Sequence, residues 1–266
     1  MKRINKNRNK KYWLVAFIGL NIGGILTYYI FPLINDYSKV NREISSVTSN
    51  THQINNDNMA PDIIERAQNS TVKITNHDYN NAIINNASGV IYKKTNNKAY
   101  IITNNHVIQN TKKILVTLRN KNTIVAKLIG TDKLTDISIL EIHNKHVDTV
   151  ANLGESKNIK TGDRVFAIGS PLGLIGTVTS GIISNTNRTI TKSLNDDDPL
   201  NQEKELIQTD AATNPGNNGG GLFDINGKLI GITSQKISKT NIEGISFAIP
   251  ISIVRKSIQD IEKPSK

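Results

Sequence analysis

There is no cysteine among the 266 residues. That excludes disulfide cross-links, a thiolate nucleophile and any metal site built on sulfur. Stability has to come from packing. Aromatic residues are also scarce, at 5%, so a core has to be assembled from Ile, Leu and Val, which suits strands. Acids are in deficit, 22 against 33 Lys and Arg, for a formal charge of +11. The excess is local. Lys2, Arg3, Lys6, Arg8, Lys10 and Lys11 all precede the first acid, Asp36, and an uncharged apolar run follows them. A basic tail of this kind is a topology signal. No aromatic-interleaved basic stripe follows, so nucleic-acid binding is not expected.

What is present falls into four segments. Residues 1–11 form the basic tail, expected in the cytoplasm. Residues 12–33, YWLVAFIGLNIGGILTYYIFPL, carry no charge. As a helix they would measure about 33 Å, enough to cross a hydrocarbon core of about 30 Å. A cleaved signal peptide would need a shorter apolar stretch and a small-x-small site after it, and Ile34-Asn35-Asp36-Tyr37-Ser38 offers none. The expectation is an uncleaved transmembrane anchor, with the remainder outside the cytoplasm. Residues 34–60 are polar, rich in Asn and Ser, and read as a flexible stalk. Residues 61–262 read as one globular domain.

That domain opens on a short helix with Pro61 near its start. Short β-rich runs follow at hairpin distance: 71–75, 88–92, 99–103, 113–118, 124–130 and 137–142, then 164–168, 177–185, 206–209, 228–234 and 244–248. Some dozen strands without long intervening helices indicate all-β architecture, in antiparallel barrels or sandwiches. Ile251, Val254, Ile258 and Ile261 have the spacing of a closing helix.

Three segments hold the candidate chemistry. Thr103-Asn104-Asn105-His106-Val107 ends an apolar run. Thr135-Asp136-Ile137-Ser138-Ile139-Leu140 puts an acid at the head of another. Thr209-Asp210-Ala211-Ala212-Thr213-Asn214-Pro215-Gly216-Asn217-Asn218-Gly219-Gly220-Gly221-Leu222 is rich in glycine. In order and spacing these resemble the motifs of the HtrA (Deg) family of trypsin-like serine peptidases, TNNHV, TDxAxL and TDAAxNPGNSGGPL. Ser170-Pro171-Leu172-Gly173 and Phe247-Ala248-Ile249-Pro250 resemble further family segments. The likeness runs from about Ile63 to Ile261, and the PDZ domain that often follows in the family is not matched. It implies two six-stranded antiparallel β-barrels of the trypsin/chymotrypsin-like fold. It also implies His106 as general base and Asp136 as its orienting acid, with an oxyanion hole from the N–H groups of Gly216 and Asn218. A substrate site at Ala212, Gly231, Ile232 and Thr233 would complete the machinery. Extended or unfolded polypeptides are the implied partners, and a homotrimer is an implied assembly.

The sequence departs from the family pattern twice. Asn218 stands at the serine nucleophile, and Gly221 at the proline. A carboxamide can donate and accept hydrogen bonds but offers no ionisable hydroxyl. The expectation is therefore a pseudoprotease that binds polypeptide without cutting it. Two alternatives stay open: an active endopeptidase in which one codon has changed, and a structural or signalling component of a membrane complex. No cofactor motif is present; the glycine run lacks the Lys-Ser/Thr of a phosphate loop. His52, His77, His143 and His146 have no metal-ligand spacing. Asp196-Asp197-Asp198 reads as a solvated acidic loop.

Overall fold

The computed structural model describes residues 60–192, 202–234 and 244–263. The chain divides into two compact units, Met1–Asn56 and Asp57–Lys266, and every described residue belongs to the second. The expected span at 12–33, the stalk and the Asp196–Asp198 loop lie outside the described residues. Among the described residues no helix is long and apolar enough to cross a membrane.

Helix α1 (Pro61–Asn69) leads into six strands: β1 (Thr71–His77), β2 (Ile83–Lys94), β3 (Lys98–Asn104), β4 (Lys113–Thr117), β5 (Thr123–Asp132) and β6 (Ile137–His143). They close into an antiparallel barrel in the order β1-β2-β3-β6-β5-β4. One helical turn, α2 (Asn105–Ile108), directly follows β3. A two-residue strand, β7 (Asn152–Leu153), precedes the second set: β8 (Arg164–Gly169), β9 (Thr177–Lys192), β10 (Gln202–Thr209), β11 (Gly221–Asp224), β12 (Lys228–Thr233) and β13 (Ser246–Pro250). Their order is β11-β8-β9-β10-β13-β12, and pairing of β11 with β12 closes this ring too. Strand β7 is attached outside it, parallel to β12. Helix α3 (Ile251–Glu262) ends the fold.

Several strands are buried on both faces, which is why they read as unbroken apolar runs rather than as alternating ones. Successive side chains on a strand point to opposite sides. In β6, Leu140 and Ile142 fill the interior of the first barrel, whereas Ile137 and Ile139 join a core shared with the second. Strand β3 divides in the same way, Ile101 inward and Ile102 toward the neighbour. In the second barrel Leu222 and Ile230 point inward, while Phe223 and Leu229 enter the shared core. Val254 and Ile258 of α3 close that core. The seam is thus apolar and buried, so the loops meeting along it are held in fixed relation.

Two elements were not legible in the strand pattern. Strand β11 is short and starts on the third glycine of a run, which by sequence looks like loop. Its identity comes from ladder bonds on both sides, to β8 and β12. Strand β7 has only two residues and depends wholly on its pairing with Lys228 and Leu229.

Candidate active site

His106 rides on α2, in the first turn after a buried strand. The side-chain amide of Asn76, on β1, donates to the carbonyl oxygen of Val107 and so holds that turn. Asp136 lies in the β5–β6 connection with φ 62°, a left-handed conformation that costs a non-glycine residue about 1–2 kcal/mol. It is held there from several directions. Its carbonyl oxygen accepts from the N–H of Asn105 at 3.0 Å and from Asn104 Nδ2 at 3.3 Å. Its carboxylate grips His106 twice: Oδ1 accepts the backbone N–H at 2.9 Å, and Oδ2 lies 2.7 Å from Nδ1. Asp136 is buried, so this pair is shielded from competing water.

The opposite side of the imidazole faces the glycine-rich loop. Asn218 Nδ2 stands 3.2 Å from His106 Nε2. One neutral tautomer satisfies both contacts: a proton on Nδ1, donated to Asp136, and a bare Nε2 that accepts from the amide. The loop that presents Asn218 is held in turn. Gly216 and Gly219 have φ of 102° and 82°, which glycine adopts without steric cost. A β-carbon on Gly219 would stand 2.3 Å from the carbonyl oxygen of Ser88. Thr233 Oγ1 donates to the Asn217 carbonyl at 2.7 Å, and the Gly219 N–H donates to the Thr233 carbonyl at 2.9 Å.

Ser88, on β2, ties this loop to the first barrel. Its N–H donates to the Asn218 carbonyl at 2.8 Å. Its hydroxyl donates to the Gly216 carbonyl at 2.6 Å and accepts from the Ser170 N–H at 2.8 Å. Ser234 Oγ, just past β12, lies 3.4 Å from Asp136 Oδ2. Neither serine stood out in the sequence as a site residue. The only signal was position, one at the head of an apolar run and the other at the end of one.

His106, Asp136 and Asn218 meet, drawn from both barrels. Gly216 lies in the same loop. Ala212 is exposed, and its carbonyl accepts from Thr179 Oγ1 at 2.8 Å. Gly231, Ile232 and Thr233 are buried within β12, beneath the loop, with Ile232 packed into the shared core. Asp210 accepts the Ile182 N–H at 2.7 Å and takes no part in the His106 contacts. Among the described residues no group of His, Asp and Glu is disposed to hold a metal.

The arrangement has counterparts in known proteins. The profile of the trypsin-like peptidase domain matches residues 87–232. The serine protease Do-like HtrB of Bacillus subtilis is 38% identical over 98% of this chain and 61% of its own length. The serine protease Do-like HtrA of the same organism is 48% identical over 65% of this chain and 38% of its own. The chain therefore spans less than two thirds of either relative. Among solved structures, the serine endoprotease from Yersinia pestis superposes with a TM-score of 0.61 at 35% identity, covering 75% of this chain and 65% of that one. With a matching profile over more than half its length and two closed antiparallel barrels to go with it, the chain belongs to the trypsin-like peptidase domain family, and the relatives it resembles there are HtrA-type serine proteases.

Proposed function

We propose that this chain is a membrane-tethered, extracytoplasmic HtrA-like domain that binds exposed polypeptide and does not hydrolyse it. One observation carries the reading: the group facing His106 Nε2 is the amide of Asn218, at 3.2 Å. An amide nitrogen shares its lone pair with the carbonyl, so an imidazole does not deprotonate it at neutral pH and no acyl-enzyme forms. Losing the nucleophile of such a triad costs a factor of about 10⁶ in kcat, leaving about 10³–10⁴ over water.

The remaining parts are suited to binding. The N–H groups of Gly216 and Asn218 would receive a peptide carbonyl oxygen. Ala212, small and uncharged, would favour aliphatic side chains over Arg or Lys, with Gly231, Ile232 and Thr233 supporting the loop from below. The anchor at 12–33 would hold the domain at the outer face of the membrane, and alkaline extraction of membranes that leaves the chain in the pellet would support it.

The test is incubation with an unfolded protein and a fluorophosphonate probe. The chain as it stands should neither label nor release peptides, and Asn218→Ser should do both. Labelling of the unaltered chain would end the proposal. A second reading, an endopeptidase altered at one codon, is favoured by the intact His106–Asp136 pairing. The codon at position 218 in the natural source separates the two: asparagine there supports the first reading, and serine the second.

A further inference from the structure

The turn that delivers Asp136 is fastened to the last helix of the fold. Asp132 Oδ1 accepts the N–H groups of Leu134 at 3.0 Å and Thr135 at 3.2 Å, closing the turn on itself. Its other oxygen accepts from Ser257 Oγ at 2.8 Å. Ser257 is fully buried on α3, and its hydroxyl also lies 2.8 Å from Thr135 Oγ1. Asp132, Thr135 and Ser257 thus form a closed triangle, with Asp136 the next residue along the chain. Both sides of the strained residue are then occupied. Asn104 and Asn105 hold its carbonyl oxygen, and the triangle holds its approach.

The helix is seated so that Ser257 arrives there. Gly130 lacks the β-carbon that would otherwise lie 2.7 Å from Ile261 Cγ2, so α3 lies close against β5. At the far end Glu262 accepts from Tyr92 Oη at 2.8 Å and from Lys93 Nζ at 2.9 Å. On its second-barrel side Arg255 Nη2 donates to the carbonyls of Leu153 and Gly154, each at 3.0 Å. A helix made after the second barrel is thereby bolted to the turn bearing the acid of the first.

We infer that Ser257 and Asp132 are positioning residues for the His106–Asp136 pair, acting through Thr135 to keep Asp136 in its left-handed conformation. Neither touches the imidazole. Their effect is on which ring nitrogen carries the proton, because an Asp136 carboxylate held in place selects the Nδ1–H tautomer.

The test is ¹⁵N NMR of the full-length chain labelled on histidine, with the His106 signals identified by their loss in His106→Gln. The unaltered chain should show a protonated Nδ1 and a bare Nε2. Ser257→Ala and Thr135→Val should each average the two nitrogens toward a tautomer mixture, while Asp132→Asn, which keeps an acceptor for the turn, should retain most of the original pattern. Glu262→Ala loosens the same helix elsewhere and should leave the pattern unchanged. Unaltered His106 signals in folded Ser257→Ala and Thr135→Val overturn the inference, and so does an equal change in Glu262→Ala. If Ser257→Ala does not fold, Thr135→Val decides alone, since it removes only a half-buried hydroxyl.

A second measurement rests on the proposed function: in an Asn218→Ser background, Ser257→Ala should lower kcat by about tenfold or more with KM unchanged, as misplacement of a catalytic group does. Failure of Asn218→Ser to gain any activity bears on that proposal. The tautomer readout still stands or falls by itself.

Discussion

The ring of Phe223 occupies the space where a β-carbon on residue 221 would stand. Such an atom would lie 2.3 Å from Phe223 Cε2 and 2.8 Å from Leu229 Cδ1. Phe223 is fully buried in the core between the barrels. The glycine found where HtrA-type sequences carry proline is therefore matched to an aromatic two residues on, and is not slack in the loop. Gly221→Ala should destabilise the domain by about 1–3 kcal/mol through overpacking, read by denaturant unfolding. Phe223→Leu alone should cost about 1–3 kcal/mol by opening a cavity. The double variant should be less destabilised than the two single effects added together, the signature of neighbours that share a space. Additive costs would mean that the two residues do not compete for it.

Ser88→Ala leaves the Ser170 N–H and the Gly216 carbonyl without their shared partner in a buried setting. The expected cost is about 1–3 kcal/mol, measured by thermal or denaturant unfolding. Under the proposed function, peptide affinity should drop together with stability, because the loss falls on the loop bearing Asn218.

Gly219→Ala tests the same loop by sterics. It forces an L-residue into φ 82° and drives its β-carbon toward backbone oxygen rather than a yielding side chain. A loss of about 3 kcal/mol or more is expected, from left-handed strain together with a collision that cannot relax. Poor expression of folded protein, rescued by lower temperature, would be the practical sign.

Asp132 makes the acid limb of stability informative. Partial burial pushes its pKa up, but the hydrogen bonds from Thr135, Ser257 and Leu134 outweigh this and hold it below the usual carboxylate range. A carboxyl depressed in the folded state stabilises above its unfolded value of about 3.9, and that contribution is lost as pH falls through the folded value. The melting temperature of the unaltered chain should therefore fall more steeply below about pH 4 than that of Asp132→Asn. Parallel curves would place the acid sensitivity elsewhere.

Most of the strand pattern, both helices at the ends of the domain and the three segments of the candidate site were legible in the sequence. The strands and helices depend on local information, apolar runs and a proline at a helix start, whereas the site segments were legible through their likeness to HtrA-family motifs. What escaped was non-local. Strand β11 is too short and too rich in glycine to be recognised without its partners. Ser88 and Ser234 look like ordinary strand-end serines until the barrels bring them to Gly216 and Asp136. The positions 231–233, named for a substrate site, are buried within β12, and the residue that reaches Asp136 from that side is the next one, Ser234.

By itself, then, the sequence determined which side chains are available and which stretches become strands, because periodicity and steric preference act over a few residues. Only the tertiary structure decided what each meets. His106 and Asn218 are 112 positions apart, and Asp132 and Ser257 are 125 apart. Contacts over such distances arise when two barrels bury a common apolar seam and a late helix closes over it. No local preference encodes which hydroxyl faces which carboxylate; packing does.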